Sequence, residues 1–177
     1  MEFLGHVVSA EGVAAHPDKT KAVAEWPEPS CVKDVRAWLG LTGYYRRYVK
    51  DYARVAAPLT SALAHGVKFA WTVEMQKSFD ELKAALMSPP VLAMPTPDDL
   101  FTLDTDASDV AIGGVLSQNQ GGNERVIAYA SRKLSRAEKN YSVTWRELLA
   151  IVHFLKQFRH YLLNGRFRIL TDHAALL

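Results

Sequence analysis

Apolar residues recur at helical spacing through the first half of the chain. Val32, Val35 and Leu39 fall at positions i, i+3 and i+7, and similar patterns precede and follow them between prolines that interrupt helices. The pattern predicts that helices dominate residues 17–88. Before them, two short strands are expected within residues 1–13, joined by a turn that ends at a glycine.

The pattern then changes to an alternation with a period of two. Phe101, Leu103 and Thr105 alternate with polar neighbours, and two further segments of this kind cover residues 111–118 and 125–131. Polar loops join the three segments, so the sequence predicts an antiparallel meander.

A long amphipathic helix is predicted after these strands. It begins at Ser142 or Thr144 and ends near Asn164 and Gly165, and residues 167–171 form a fourth strand. The order predicts an α/β (α+β) fold, in which a helical segment precedes a mixed sheet of three antiparallel strands, a crossover helix and a fourth strand.

Composition places the chain among folded soluble proteins, with 177 residues of which 49% are hydrophobic and 23% charged. No apolar run approaches the roughly 20 residues of a membrane span, so no membrane partner is expected. The single cysteine, Cys31, excludes an intrachain disulfide and a cysteine-based zinc site, and no secretory signal is expected because residues 1–10 lack a basic stretch followed by an apolar core. A reducing, intracellular compartment is expected. The net charge of +2 does not by itself indicate a nucleic-acid partner.

Three acidic residues stand where strand ends and a helix start can meet. Asp106 closes the first strand of the meander, Glu147 lies near the start of the long helix, and Asp172 ends the fourth strand. Carboxylates gathered in this way repel one another unless a cation lies among them, and oxygen ligands suit Mg²⁺ or Mn²⁺. Two such ions about 3.5–4 Å apart promote phosphodiester cleavage. The sequence therefore suggests a metal-dependent nuclease.

Simpler interpretations of these residues remain open. Thr144 and Glu147 form a T-x-x-E capping box, so Glu147 could serve only to close a helix end. Asp104 and Asp109 fit a solvated strand end and an Asx-turn. A calcium loop is excluded because Asp109 and Val115 stand where glycine and glutamate are needed. The histidines lack zinc spacing, and no Gly-rich phosphate loop is present.

Tyrosines and basic residues interleave over residues 44–54. Such a segment can stack on bases or sugars and pair with phosphates. Aromatic residues at helical spacing are more often core residues, so both interpretations stay open.

Ten segments resemble, in order and spacing, the Pol polyprotein of gypsy-type LTR retrotransposons. They are residues 3–6 (FLGH), 39–48 (LGLTGYYRRY), 58–59 (PL), 69–71 (FAW), 105–108 (TDAS), 112–116 (IGGVL), 129–132 (YASR), 141–144 (YSVT), 147–151 (ELLAI) and 171–173 (TDH). The resemblance implies the C-terminal part of a reverse transcriptase joined to the N-terminal half of a ribonuclease H domain.

The resemblance also implies how the chain is divided and which residues act. The end of the polymerase palm would cover residues 1–28, thumb and connection helices residues 29–95, and a C-terminally truncated ribonuclease H-like domain residues 96–177. Three acidic positions that the family uses to bind two Mg²⁺ ions fall on Asp106, Glu147 and Asp172. Nucleic-acid contacts are expected from Phe3, Gly5, His6, Tyr44, Tyr45, Arg46, Arg47 and Lys50.

Two departures from the family limit the expected activity. The Y-x-D-D motif of the polymerase is absent, so the chain is not expected to synthesise DNA. The family's nuclease domain continues to a fourth acidic residue and a fifth strand, whereas this sequence stops at Leu177. The two-ion Mg²⁺ or Mn²⁺ site is therefore expected to be incomplete and the isolated chain inactive.

The complete family protein cleaves RNA in RNA/DNA hybrids and couples this cleavage to RNA-directed DNA synthesis. The implied partners are an RNA/DNA hybrid or DNA duplex and the rest of a Pol polyprotein, located in the cytoplasm, a virus-like particle or the nucleus. The alternative is a non-catalytic remnant, domesticated or from a pseudogene, that binds nucleic acid or a protein.

Overall fold

The computed structural model describes residues 1–163 and 165–176. Asn164, at the predicted end of the long helix, and Leu177 lie outside the described residues. The chain forms a helical unit that carries a small sheet, followed by an α/β unit. Within the described ranges, no helix is long and apolar enough to cross a membrane.

Three short antiparallel strands open the chain, one more than the sequence pattern indicated. They pair in the order β1 (Glu2–Phe3), β2 (His6–Ser9) and β3 (Gly12–Ala15). The additional pairing arises because Leu4 and Gly5 both take positive φ angles, 47° and 78°, which form a two-residue hairpin turn.

Helices follow in the predicted region, although the segment between residues 42 and 64 is divided. A 3-10 turn, Arg46–Tyr48, follows the second helix, and Asp51 takes a left-handed φ of 54° that a right-handed helix cannot contain. The helices of this unit are α1 (Pro17–Ala24), α2 (Val32–Tyr44), α3 (Tyr52–Val55), α4 (Ala57–Ser61) and α5 (Val73–Met87).

The second half of the chain forms the predicted mixed sheet, with strand order β6-β5-β4-β7. The first three strands are antiparallel and the fourth is parallel to β4, which confirms the predicted fold class. The long predicted helix is divided in two at Phe158. The elements are β4 (Phe101–Ala107), β5 (Ala111–Gln120), β6 (Asn123–Lys133), α6 (Val143–Gln157), α7 (Arg159–Leu162) and β7 (Phe167–Leu170).

Two adjacent glycines of β5 let both faces of this sheet be covered closely. A Cβ atom on Gly114 would lie 2.7 Å from the ring of Phe154, so α6 packs directly on that backbone. Gly113 faces the opposite side, where a Cβ atom would meet the carboxylate of Asp51. On that side, the Ala53 backbone N–H of α3 donates a 2.8 Å hydrogen bond to Ser131 Oγ in β6. The sheet therefore lies between α6 and the helical unit.

Buried apolar side chains form two clusters. Trp38 and Phe79, with ring centroids 4.6 Å apart, lie in the first, and Leu103 and Phe154 lie in the second. The predicted domain bounds at residues 28 and 95 are not settled by this packing and stay predictions.

Candidate metal centre

Three acidic side chains meet at one end of the sheet. Asp106 is the penultimate residue of β4, Asp172 follows the end of β7 by two residues, and Glu147 lies in the first turns of α6. Because β4 and β7 are parallel, their carboxyl ends share one edge, and the crossover helix begins beside it. A carboxylate oxygen of each residue lies within 4.8 Å of the others. The structure thus brings together the three residues singled out in the sequence.

Glu147 is the buried member of this group, with 3% of its surface exposed. Its Oε2 atom has no hydrogen-bond partner. Burial raises the pKa of Glu147, and the nearby charges of Asp106 and Asp172 raise it further. A buried carboxylate oxygen without a partner is a costly arrangement that a bound cation would relieve.

The capping interpretation of Glu147 is wrong. Ser142 is the N-cap of α6, and its Oγ atom accepts a hydrogen bond from the Trp145 backbone N–H. Thr144 lies inside the helix, and its hydroxyl is 2.8 Å from His173 Nε2. The carboxylate of Glu147 is therefore available to the acidic group.

The other acidic residues of this region lie outside the group of three. Asp104 lies on the same face of β4 as Asp106, and its side chain is exposed. Partial loss of water around its carboxylate raises its pKa most, while the nearby charge of Lys50 lowers it. Asp109 is exposed in a tight turn where Ser108 Oγ accepts hydrogen bonds from the Val110 and Ala111 backbones. Asp109 thus lies in a turn, but the side chain that accepts the hydrogen bonds of this turn is Ser108 and not an aspartate.

Two of the tyrosines predicted to contact nucleic acid, Tyr44 and Tyr45, bind the Leu4–Gly5 turn through their hydroxyls. Tyr44 Oη donates to Leu4 O at 2.7 Å and Tyr45 Oη donates to Gly5 O at 3.2 Å. Tyr45 is 3% exposed, so its ring has no free face on which a base could stack. Direct stacking of Tyr45 on a base is therefore not what the structure shows. Its hydroxyl instead stabilises the turn by donating a hydrogen bond to the Gly5 carbonyl.

In the turn, Leu4 is exposed and Gly5 is half-buried. His6, in the strand after the turn, is half-buried, and its Nδ1 atom lies 2.9 Å from Tyr48 Oη. The solvent-exposed members of the predicted nucleic-acid set are Phe3, Tyr44, Arg46, Arg47 and Lys50.

Arg46 and Arg47 line a cavity of about 440 Å³ between the two units. His153, Gln157 and His160 of α6 and α7 line its other side. The sequence shows only that these histidines lack zinc spacing. No local signal links them to arginines more than 100 positions earlier in the chain.

A family model described as "RNase H-like domain found in reverse transcriptase" matches residues 71–169. The chain belongs to this family. The family suggested by the sequence motifs is therefore confirmed.

The relatives found by sequence are transposon polyproteins. The chain is 45% identical over 175 residues to the retrovirus-related Pol polyprotein from transposon 297 of Drosophila melanogaster, covering 98% of this chain and 16% of that protein. It is 42% identical to the Pol polyprotein from transposon opus of the same organism, covering 99% of this chain and 19% of that protein. The transposon Tf2-3 polyprotein of Schizosaccharomyces pombe is 36% identical over 180 residues, covering 100% of this chain and 14% of that protein. The chain thus spans less than a fifth of each of these relatives.

Solved structures share the fold of the whole chain. A foamy viral protease-reverse transcriptase, dRH, in complex with ds DNA, superimposes with a TM-score of 0.81 at 20% identity, covering 99% of this chain and 32% of that one. A foamy viral protease-reverse transcriptase in complex with RNA/DNA hybrid superimposes with a TM-score of 0.79 at 20% identity, covering 99% of this chain and 24% of that one. Both the helical unit and the sheet therefore have counterparts in a reverse transcriptase.

Proposed function

We propose that the chain is part of a retroelement Pol protein and that Asp106, Glu147 and Asp172 hold divalent cations for cleavage of RNA in RNA/DNA hybrids. Two facts carry this proposal: one carboxylate oxygen of each residue lies within 4.8 Å of the others, and Oε2 of buried Glu147 has no hydrogen-bond partner. Family membership supports the reaction class, because these domains belong to reverse transcriptases.

The donor set fits Mg²⁺ or Mn²⁺. All three donors are carboxylate oxygens, which such ions prefer, and two of the three side chains are exposed and leave room for water and substrate. Among residues 1–163 and 165–176, no lysine or arginine forms a salt bridge with any of the three. The negative charge of the group is therefore left for a cation to balance.

The chemistry divides between the ion and the protein. A divalent ion bound here would activate water and stabilise charge on the scissile phosphate. The chain itself holds two carboxylates at the ends of parallel strands and the third on a helix. It also buries Glu147 away from water.

The exposed face of α2 supports a nucleic-acid partner. Lys33, Arg36, Gly40 and Tyr44 are exposed at positions i, i+3, i+7 and i+11 and share that face. A Cβ atom on Gly40 would meet no atom within 4 Å, so packing within the chain does not explain a glycine there. Glycine costs a helix about 1 kcal/mol relative to alanine. We attribute the glycine at position 40 to a nucleic-acid duplex whose groove comes close to the α2 backbone there. The basic side chains on the same face would pair with its phosphates.

Recognition of the hybrid would depend on shape. RNA-containing duplexes present an A-form-like minor groove with 2′-hydroxyls, which a protein can distinguish from DNA without reading bases. The foamy viral relatives in complex with ds DNA and with RNA/DNA hybrid carry the same fold.

The test is hydrolysis of a labelled RNA/DNA hybrid in Mg²⁺ by a Pol protein that contains this chain. Asp106→Asn should slow cleavage about 100-fold to 1000-fold, since it removes charge that stabilises the transition state. Asp109→Asn is the matched control and should leave the rate unchanged. Equal rates for Asp106→Asn and the unaltered protein would contradict the proposal. Hybrid binding without any cleavage would favour the non-catalytic alternative.

A further inference from the structure

The hydroxyl of Thr144 makes a contact that the helix itself does not require. Ser142 already caps α6, so the capping role suggested by the T-x-x-E spacing is filled by another residue. Thr144 Oγ1 instead lies 2.8 Å from His173 Nε2, and one of the two atoms donates a hydrogen bond to the other.

This hydrogen bond joins the two segments that carry Glu147 and Asp172. Thr144 precedes Glu147 by three residues, which is about one helical turn. His173 directly follows Asp172. The contact therefore links the start of α6 to the segment beyond β7 next to both carboxylates.

Asp172 depends on such a link more than its two partners do. Glu147 is buried and Asp106 is paired with Gly113 of β5, whereas the ladder between β4 and β7 ends at Leu170, two residues before Asp172. The hydrogen bonds from His173 N–H to Thr171 Oγ1 and from Leu176 N–H to His173 O act within the segment. They shape the segment without attaching it to α6.

We propose that Thr144 is a positioning residue that sets the separation of Asp172 from Glu147 through His173. Three carboxylates without a cation repel one another, so an exposed aspartate at the end of a strand would move away unless it were held. The Thr144–His173 hydrogen bond holds it in place before a cation arrives. The proposal rests on the metal-binding role proposed above.

Two variants separate the hydroxyl of Thr144 from the rest of its side chain, and a third serves as a control. Thr144→Val keeps the shape and removes the hydroxyl, and Thr144→Ser keeps the hydroxyl. Thr20→Val is the matched control, because Thr20 also lies near the start of a helix and its hydroxyl donates to Pro17 O within the same helix. Nuclear magnetic resonance relaxation of the metal-free chain and Mn²⁺ titration followed by electron paramagnetic resonance provide two independent readouts.

Thr144→Val should lower the backbone order parameters of Asp172 and His173 from about 0.85 toward 0.6 in the metal-free chain. It should also weaken Mn²⁺ binding about 10-fold, the lower end of what outer-shell partners of metal ligands contribute. Thr144→Ser and Thr20→Val should match the unaltered chain in both measurements, and the melting temperature of the metal-free Thr144→Val chain should stay within about 2 °C of it.

An unchanged backbone order parameter at Asp172 in Thr144→Val would overturn the proposal. A Thr144→Ser variant with the same lowered order parameters and Mn²⁺ affinity as Thr144→Val would also overturn it. If the unaltered chain binds no Mn²⁺, the proposed metal function fails. The metal-free order parameters then still decide whether Thr144 holds Asp172.

Discussion

Glu147 is the buried charge that the proposed cation would balance. Its carboxylate has one oxygen without a partner and two like charges nearby, and these raise its pKa. In the absence of metal this arrangement lowers the stability of the fold, since the charge has lost water without gaining a counterion. The same features favour a divalent cation.

Replacing Glu147 with glutamine should therefore separate stability from function. The amide keeps the size of the side chain and removes the repulsive charge, so Glu147→Gln should stabilise the metal-free chain by about 1 kcal/mol at neutral pH. Mn²⁺ binding should be lost. Urea unfolding and Mn²⁺ titration measure the two effects, and a destabilised variant that still binds Mn²⁺ would contradict this description of the residue.

Glu138 provides a pH-dependent contribution to stability away from the acidic group. Two hydrogen bonds from Arg132 and one from the Ser135 backbone lower its pKa from 4.5 to about 2. A lowered pKa in the folded state stabilises the protein above the unfolded value of 4.5, and this contribution disappears as the pH falls toward 2.

Glu138→Gln should thus lower the free energy of unfolding at pH 7. The loss should be only about 1 kcal/mol, because solvent screens the partly exposed pair of Glu138 and Arg132. The difference between the variant and the unaltered chain should shrink between pH 4.5 and about 2. Thermal unfolding across this range measures it, and a difference that does not depend on pH would refute the assignment.

At the level of elements, close packing of α6 on β5 depends on Gly114. The ring of Phe154 occupies the place of a Cβ atom, so Gly114→Ala should destabilise the chain by about 1–3 kcal/mol through overpacking. Urea unfolding measures the loss. A Gly114→Ala chain as stable as the unaltered one would show that the helix can shift without cost.

Gly40→Ala is the informative counterpart on α2. The site is open, so alanine should stabilise the helix by up to about 1 kcal/mol. If a duplex groove approaches this backbone, hybrid affinity should fall in the same variant. Fluorescence anisotropy with a labelled hybrid measures the affinity, and an unchanged value would remove α2 from the proposed contact surface.

The sequence predicts elements better than it predicts their contacts. The sheet and the crossover helix follow from local periodicity, and the meeting of Asp106 with Asp172 follows from their places at the ends of parallel strands. The packing of Asp51 against Gly113 does not, because it joins segments about 60 positions apart and no local pattern encodes it. Tyr45 was likewise ambiguous, since both a core tyrosine and a stacking tyrosine show helical spacing.

At the level of the whole molecule, the helical unit and the sheet share a cavity lined by arginines and histidines. If a duplex passes here, each phosphate contact contributes about 0.9 to the slope of log affinity against log salt. The double variant Arg46→Gln/Arg47→Gln should lower that slope by up to about 2. The control Lys68→Gln/Lys77→Gln carries the same charge change at exposed positions elsewhere, and equal slopes for the two double variants would contradict the prediction.

The most direct test of the central claim is crystallography of the chain soaked in Mn²⁺, with anomalous difference maps. We predict a peak bonded to carboxylate oxygens of Asp106, Glu147 and Asp172, at about 2.0–2.2 Å as expected for small divalent ions with oxygen ligands. The peak should vanish in crystals of Asp106→Asn. A peak only elsewhere on the chain would contradict the proposed metal site. So would the absence of a peak in crystals in which the three carboxylates lie together.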